Sequence, residues 1–234
     1  MTTNTTYLIT GANRGIGRGL VTAYLLRPHS TVIAAVRDLE KSTSKDLANL
    51  PTAQGSKLIT VKIDSISESD PSEAVKSLSE HSVSQLDVVI ANAGDSRYAP
   101  VADVSVGGMM YLYKTNTIGP LLLLQATLPL LKAASTPKFI VISSTLGSLT
   151  MGIQYPLHSV AYAASKAAIN MVMRHAYKEN PWLITLPICP GWAATDMGND
   201  GAAAAGLKEA PVPVDVSVKG VVQEVDELVR TDDG

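Results

Sequence analysis

Tyr7-Leu8-Ile9-Thr10 leads directly into Gly11-Ala12-Asn13-Arg14-Gly15-Ile16-Gly17 near the start of the chain. The first four residues predict a buried strand, and the segment from about Ile16 to Leu26 predicts a helix. A glycine-rich turn between a strand and a helix lets the backbone approach a pyrophosphate, and the first helical turn supplies amide donors and a favourable dipole. The spacing is G-x-x-x-G-x-G rather than G-x-G-x-x-G, so the turn could also be purely structural.

Short Val- and Ile-rich segments alternate with Ala- and Leu-rich segments along the rest of the chain. This alternation is typical of an α/β protein. The segment before Asn92 is nearly all apolar, as a central parallel strand should be. The further strands are predicted at 31–36, 57–63, 86–91, 138–142 and 183–189.

Length and composition favour one large domain. The chain has 234 residues, of which 46% are hydrophobic, and a net charge of −2 that gives no indication of a nucleic acid or an anionic membrane as partner. The single cysteine, Cys189, excludes an internal disulfide and fits a reducing, cytoplasmic compartment. The most apolar stretch, Pro120 to Leu131, is too short to span a bilayer. No cluster of His, Cys and carboxylate residues suggests a metal site.

Tyr162 and Lys166 are four residues apart in an alanine-rich segment. If this segment is helical, both side chains lie on one face, one turn apart. An ammonium beside a phenol favours the phenolate, so we expect the pKa of Tyr162 to fall below its ordinary value. Such a phenol can exchange a proton with a carbonyl oxygen or an alcohol. The alternative is a solvated helix face that carries the two residues by chance.

Polar residues follow several of the predicted strands. The carboxyl ends of parallel strands border the ligand crevice of such sheets, although each of these groups could also be an ordinary turn. Successive residues of a strand point to opposite faces, so only one of Ser143 and Ser144 should face the crevice. Asn116 lies among apolar neighbours in a predicted helix, and a buried amide needs partners. It is therefore either a structural strut or part of a polar relay. The strand-end groups are Asp64, Asn92-Ala93-Gly94, Ser143-Ser144 and Pro190-Gly191.

Arg37 and Asp38 follow the second predicted strand. In dinucleotide sites an acid at this place holds the ribose 2′-hydroxyl, whereas an arginine suits a 2′-phosphate. We expect Arg37 to face the phosphate because it leaves the strand first, with Asp38 capping the next helix. Arg14 in the glycine turn would hold the phosphate from the other side. This arrangement predicts a preference for NADPH, unless Arg37 is only a solvated strand end.

Together these residues resemble the short-chain dehydrogenase/reductase family. The resemblance covers nearly the whole chain in family order. It rests on Thr10 to Gly17, Asp64, Asn92-Ala93-Gly94, Asn116, Ser144, the Tyr162-Ala-Ala-Ser-Lys166 motif and Pro190-Gly191. More narrowly, residues 10–21, 34–38 and 190–213 are similar to fungal polyketide-tailoring enzymes of the norsolorinic acid ketoreductase type. The family implies a single doubly wound Rossmann-type parallel sheet in the order 3-2-1-4-5-6-7, with helices on both faces, assembled as homodimers or homotetramers.

The resemblance also implies an NADPH-dependent reduction of a small-molecule carbonyl. Tyr162 would protonate the developing alkoxide, Lys166 would lower the pKa of Tyr162 and bond the nicotinamide ribose, Ser144 would donate to the carbonyl, and Asn116 would hold a water. The residues expected to bind NADPH/NADP+ are Gly11, Asn13, Arg14, Gly15, Ile16, Gly17, Arg37, Asp64, Asn92, Ala93, Gly94, Tyr162, Lys166, Pro190, Gly191 and Thr195.

The expected substrate pocket carries few charges. This favours an uncharged, aromatic or polyketide-like ketone and a role in secondary metabolism. The expected substrate contacts are Ser144, Gln154, Tyr155, Tyr162, Trp192 and Met197, within a wider candidate lining of Asp95, Arg97, Tyr98, Met151 and His158. Two other functions remain open: an isomerase, dehydratase or cyclase on the same fold, and a catalytically silent NADP-binding protein.

Two departures from the family pattern concern the substrate side. The interval from Ser144 to Tyr162 is longer than usual, so the loop at 145–159 is expected to reshape the pocket. The sequence stops at Gly234, just past the last predicted helix, so a seventh strand is expected to be missing and the sixth to form a sheet edge. Residues 197–213 are rich in glycine and small side chains, and we expect a mobile substrate lid there rather than an ordinary surface loop.

Overall fold

A computed structural model describes residues 4–231, and its centre is a sheet of six parallel strands. The strand order is β3-β2-β1-β4-β5-β6, so the predicted doubly wound sheet is confirmed. The order reverses between β1 and β4, the point at which such sheets open a ligand crevice. The strands are β1 (Thr5–Thr10), β2 (Ser30–Val36), β3 (Lys57–Lys62), β4 (Val88–Ala91), β5 (Lys138–Ile142) and β6 (Ile184–Ile188).

Helices cover both faces of the sheet. Alternate strand residues divide between the two faces, as the pleat requires: Leu8 and Ile33, paired across β1 and β2, join one apolar core, while Ile9 and Val32 join the other. The first core is covered by α3, α5 and α6, and the second by α1 and α8. The helices are α1 (Gly15–Leu25), α2 (Ser42–Lys45), α3 (Asp70–Ser77), α4 (Val106–Tyr113), α5 (Gly119–Leu131), α6 (Val160–Glu179), α7 (Asp196–Ala204) and α8 (Val214–Glu227).

The helical path does not break at Gly119-Pro120, although glycine and proline commonly interrupt a helix. A π-helical turn over Lys114–Ile118 joins α4 to α5 without a loop. Pro120 sits in the first turn of α5, where its missing N–H is tolerated. Gly119 is needed for a close approach, because a Cβ there would lie 2.6 Å from the carbonyl oxygen of Ser65. The wide turn therefore carries Asn116 into the interior beside the crevice.

Strand β6 forms one edge of the sheet, and no seventh strand occurs within residues 4–231. Arg230, which follows α8, contacts the segment before β6. Its Nη1 donates to the carbonyl oxygen of Leu183 at 2.6 Å, and its guanidinium stacks on the ring of Tyr177. The expectation about the chain end at Gly234 lies outside the described residues. Among the helices of that same stretch, none combines the length and apolar character needed to cross a bilayer.

The segment at 197–213 is more ordered than its composition predicts. Most of its first half belongs to α7, which begins at Asp196, and both Ala202 and Ala210 are buried. The main chain of Val212 pairs with that of Trp192 and Ala194. The expectation that this segment lacks packing anchors is therefore wrong, because alanine and glycine allow close backbone packing. Its role as a substrate lid remains a prediction.

Candidate active site

A crevice of about 1240 Å³ runs along the carboxyl ends of the strands, from the glycine turn to α7. Gly11 and Gly15 adopt φ angles of 63° and 52°, which favour glycine. A Cβ at Gly17 would collide with the carbonyl oxygen of Gly11 and lie 2.5 Å from Nδ2 of Asn92. No side chain caps the start of α1, where Arg14 is the N-cap residue. The backbone N–H groups at the start of α1 therefore have no side-chain partner among the described residues where a dinucleotide pyrophosphate would approach, so the turn fits that group.

The floor of the crevice is tied together where the strand order reverses. The Thr10 hydroxyl accepts hydrogen bonds from the backbone N–H groups of Asn92 and Ala93, at 3.1 and 3.0 Å. The Asn92 amide donates to the carbonyl oxygens of Thr10 and Gly11 in return. These bonds hold Asn92-Ala93-Gly94 against the glycine turn, so the predicted floor and turn form one rigid unit.

Asp70 supports the predicted contact at Asp64, and sequence reasoning missed it. Its carboxylate accepts from the backbone N–H of Asp64 at 2.9 Å and from the Ser67 hydroxyl at 2.7 Å, and it pairs with Lys62. Burial opposes the charge, but these bonds outweigh it and lower the pKa of Asp70. The sequence does contain a signal for this residue: Asp70 directly precedes Pro71, and an acid followed by a proline is common in the first turn of a helix.

Asp38 and Arg14 have partners that the sequence did not predict. Asp38 does not cap α2; its Oδ1 accepts from the backbone N–H of Glu40 at 2.9 Å, because a turn intervenes before the helix begins at Ser42. Arg14 forms an exposed ion pair with Asp196 at the start of α7, with 2.9 Å between Nη1 and Oδ2. Arg37, at the end of β2, is exposed and lines the crevice together with Asp38, so its contact with a 2′-phosphate stays a prediction.

The same end of the crevice contains three residues at the start of α2, including its N-cap residue, that the sequence pattern did not indicate. Lys41, Ser42 and Thr43 all line it. The amide of Asn13 donates to the Thr43 hydroxyl at 2.8 Å, which joins the glycine turn to α2. Lys41 adds a third cationic side chain to the lining that contains Arg14 and Arg37, alongside the carboxylates of Asp38 and Asp196. Three cationic side chains are therefore available to a phosphate at this end.

The structure brings the expected catalytic side chains together. Tyr162 and Lys166 lie one turn apart on α6, and Ser144 follows β5; all three line the crevice. The Lys166 ammonium lies 5.5 Å from the centre of the Tyr162 ring and donates to the carbonyl oxygen of Ile142 at 2.7 Å. The Ser143 hydroxyl instead donates to Oδ1 of Asn170 at 2.6 Å. Ser144 is therefore the serine whose hydroxyl is available to a substrate beside Tyr162.

The expected lowering of the Tyr162 pKa is wrong for this structure. Burial raises the pKa of the phenol, and a side-chain hydrogen bond with Ser144 only partly opposes this. Burial also lowers the pKa of Lys166 to about 8. The surrounding residues remove water from both groups, which disfavours the charged form of each. The Lys166 ammonium donates its hydrogen bond to Ile142 and not to the Tyr162 oxygen. At neutral pH Tyr162 is therefore a protonated phenol, suited to donate a proton.

Asn116 is fully buried and acts as a strut between two segments. Its Oδ1 accepts from the backbone N–H of Asp95 at 3.0 Å, and its Nδ2 donates to the Asp95 carbonyl and to the Ser165 hydroxyl, at 2.9 and 3.0 Å. Both amide donors are used, which favours the structural alternative for this side chain. The water-holding role remains a prediction.

The substrate end of the crevice is aromatic. Among the expected contacts, Tyr155, Trp192 and Met197 line it, whereas Gln154 is exposed on the loop outside. The long loop after Ser144 supplies Tyr155 and Leu157, in line with its expected influence on the pocket. Five of the chain's eleven aromatic residues border the crevice, although aromatics are only 5% of the sequence: Tyr98, Tyr111, Tyr155, Tyr162 and Trp192.

The remaining expected cofactor contacts, Pro190, Gly191 and Thr195, also border the crevice. Thr195 caps α7 by accepting from the backbone N–H of Gly198 at 3.1 Å, and a Cβ at Gly15 would lie 3.0 Å from its Cγ2. The start of α7 thus packs on the glycine turn. Between residues 4 and 231, no group of three or more His, Cys, Asp or Glu side chains is placed to hold a metal ion.

Comparison with known proteins agrees with this geometry. Residues 5–205 match the short chain dehydrogenase family. The chain is 43% identical to norsolorinic acid ketoreductase nor1 of Dothistroma septosporum, over 97% of this chain and 86% of that protein. It is 40% identical to norsolorinic acid ketoreductase of Aspergillus parasiticus, over 97% and 84%.

A solved structure extends the similarity to the cofactor. NADPH-bound carbonyl reductase from chicken fatty liver superposes with a TM-score of 0.84 at 33% identity, covering 97% of this chain and 93% of that one. The close-packed glycine turn and the cationic side chains of Arg14, Arg37 and Lys41 in the crevice lining fit the same cofactor. The chain therefore belongs to the short-chain dehydrogenase family and is an NADP-dependent oxidoreductase with NADPH/NADP+ as its cofactor.

Proposed function

We propose that this protein is a ketoreductase that reduces the carbonyl group of a small, uncharged, aromatic or polyketide-like ketone to an alcohol. The observation that carries the proposal is the position of the Tyr162 and Ser144 side chains in a crevice that gathers five aromatic residues. The names of the two fungal relatives support the same class of substrate.

NADPH, when bound, supplies the hydride for the carbonyl carbon. Tyr162 donates its phenolic proton to the carbonyl oxygen as negative charge develops there. Ser144 donates a hydrogen bond to the same oxygen and so orients it toward Tyr162. The buried Lys166 ammonium, 5.5 Å from the centre of the Tyr162 ring, offsets the charge of the tyrosinate that remains.

The residues that line the substrate end support an apolar, aromatic ligand. Tyr98, Tyr111, Tyr155 and Trp192 provide ring faces and edges, and Leu146 and Leu157 add aliphatic contacts. Asp95 and Lys166 are charged residues of the lining near Tyr98 and Tyr162, and the Arg97 guanidinium stacks on the ring of Tyr111. The aromatic and aliphatic side chains outnumber these charged groups at this end, which supports an uncharged ligand.

The direct test is NADPH consumption measured by absorbance with a panel of ketones, from acetophenone to anthraquinones and other polycyclic ketones. We expect one NADPH oxidised for each alcohol formed, with higher kcat/KM for the polycyclic members. Product formation without NADPH consumption would instead indicate an isomerase, dehydratase or cyclase. Tight NADPH binding without turnover of any ketone would contradict the proposal.

We further propose a homodimer or homotetramer that acts in the cytoplasm in secondary metabolism. The support for association is an exposed apolar stripe on α4, where Val106, Met110 and Tyr113 are 80%, 55% and 42% exposed. Light scattering measures the assembly directly, and substitution of Val106 and Met110 by Ser should shift it toward monomer.

A further inference from the structure

Two glycines on one face of α7 bring its backbone against aromatic residues of the crevice. Gly198 and Gly201 are three residues apart, and so share a helix face. The Gly198 carbonyl oxygen accepts from the indole N–H of Trp192 at 2.9 Å. A Cβ at Gly201 would lie 3.6 Å from that indole nitrogen. The helix backbone thus lies directly on the aromatic wall.

The closest approach is between Gly201 and Tyr98. A Cβ at position 201 would be 2.5 Å from the Tyr98 hydroxyl oxygen and 3.2 Å from its Cζ. Tyr98 comes from the segment after β4, and the Ser96 hydroxyl donates to its hydroxyl at 3.3 Å. Because Tyr98 lines the crevice while Gly201 is buried behind it, the absence of a side chain at 201 determines where the Tyr98 ring rests.

We propose that Gly201 and Tyr98 together set the width of the substrate end of the crevice, which makes position 201 a determinant of substrate size. This inference rests on the proposed ketone reduction. Any side chain at 201 must either push the Tyr98 ring into the crevice or lift α7 from the aromatic wall. The Tyr98 ring is the free end of a side chain, so it moves first, and the space lost is that available to a bulky ketone.

The test compares two Gly→Ala substitutions within helices. Gly201→Ala introduces the contact, whereas Gly220→Ala on α8 adds a methyl group that meets nothing within 4 Å. Both gain the same helix propensity. The probes are tricyclic 9,10-phenanthrenequinone and monocyclic acetophenone. A methylene-sized change in a pocket is worth about 10-fold or more, so Gly201→Ala should lower the kcat/KM ratio of tricyclic to monocyclic ketone by that factor. Gly220→Ala should leave the ratio unchanged.

A rescue experiment connects the effect to Tyr98. Adding Tyr98→Phe to Gly201→Ala removes the oxygen and leaves only the 3.2 Å approach to Cζ, so most of the ratio should return. If Gly201→Ala does not fold, Tyr98→Trp narrows the pocket from the other partner and should lower the same ratio. An unchanged ratio in the folded Gly201→Ala or in Tyr98→Trp, or no rescue by Tyr98→Phe, would overturn the proposal.

A binding measurement separates this inference from the proposed reaction. The chain has two tryptophans, so Trp182→Phe leaves Trp192 as the only indole reporter. In that background, quenching of Trp192 fluorescence by phenanthrenequinone should weaken with Gly201→Ala and not with Gly220→Ala. If the parent protein reduces neither ketone but shows this binding pattern, the ketone-reductase proposal fails while the size role of position 201 stands. Equal quenching in both variants would contradict the size role.

Discussion

Tyr162 is the residue on which the proposed chemistry depends most. Its burial keeps the phenol protonated at neutral pH, and Ser144 lies beside it. Tyr162→Phe keeps the ring and removes the proton, so we expect turnover to fall by about 10²–10⁴-fold, the scale of a lost general acid. NADPH affinity, measured by fluorescence titration, should change little. Retention of more than a few per cent of activity would exclude Tyr162 as the acid.

The two serines after β5 form a natural pair of variant and control. Ser144 faces the crevice beside Tyr162, whereas the Ser143 hydroxyl is bound to Asn170. Ser144→Ala should lower kcat by about 10²-fold or more, as for an oxyanion-hole donor. Ser143→Ala should lower the thermal midpoint of unfolding and leave kcat nearly unchanged. The reverse order of the two kcat values would show that Ser143 binds the carbonyl.

Arg37 is expected to select NADPH over NADH. Each charge-assisted hydrogen bond to a phosphate contributes about 1.5–3 kcal/mol, which is about one to two decades in affinity at about 1.4 kcal/mol per decade. Arg37→Ala should therefore reduce the NADPH-to-NADH ratio of kcat/KM by about 10–100-fold. Arg174→Ala, an exposed arginine on α6, serves as the control. A ratio unaffected by Arg37→Ala would leave Arg14 and Lys41 as the phosphate ligands.

At the scale of the element, α6 places two ionisable groups one helical turn apart. The pKa of Lys166 is lowered to about 8, while that of Tyr162 is raised, so Lys166 loses its charge first as pH rises. Without the ammonium, a tyrosinate in the crevice lacks a counter-charge. We expect kcat/KM for ketone reduction to be full below about pH 8 and to fall above it.

The pH profile needs a control for Cys189, whose thiol influences both Tyr162 and Lys166. Cys189→Ser removes the thiol and should leave the fall near pH 8 in place. Lys166→Arg retains a charge that persists to higher pH, so any remaining activity should show no such fall. A profile that flattens in Cys189→Ser would assign the titration to the thiol.

At the scale of the whole molecule, the crevice is assembled from segments far apart in the chain. The glycine turn follows β1, the floor follows β4, Ser144 follows β5, and α7 closes over the turn through Thr195 and Asp196. A ligand that contacts all of these should stabilise the fold as a unit. NADPH at a hundred times its Kd should stabilise by about 2.7 kcal/mol, which raises Tm by about 5–10 °C at 2–4 °C per kcal/mol.

Differential scanning fluorimetry with NADPH and NADH at equal concentrations checks this. The rise in Tm with NADH should be clearly smaller, because NADH lacks the 2′-phosphate that the cationic side chains of the crevice would bind. Equal shifts for both cofactors would mean that the positive residues at this end do not discriminate between them.

The amino-acid sequence by itself determined the features that depend on neighbours along the chain. Alternating apolar segments determined the α/β class. The glycines at 11, 15 and 17 determined three places in the turn where no side chain covers the backbone. The four-residue interval between Tyr162 and Lys166 placed both side chains on one helix face. Such features follow from local sterics and periodicity, which a sequence contains in full.

Only the tertiary structure decided which groups meet across the fold. Arg14 pairs with Asp196, Asn116 holds Asp95, and Tyr98 rests on Gly201, all through contacts between residues far apart in sequence. The pKa of Tyr162 rises rather than falls for the same reason. Desolvation depends on every segment that excludes water from a group, and those segments are brought together only when the chain packs.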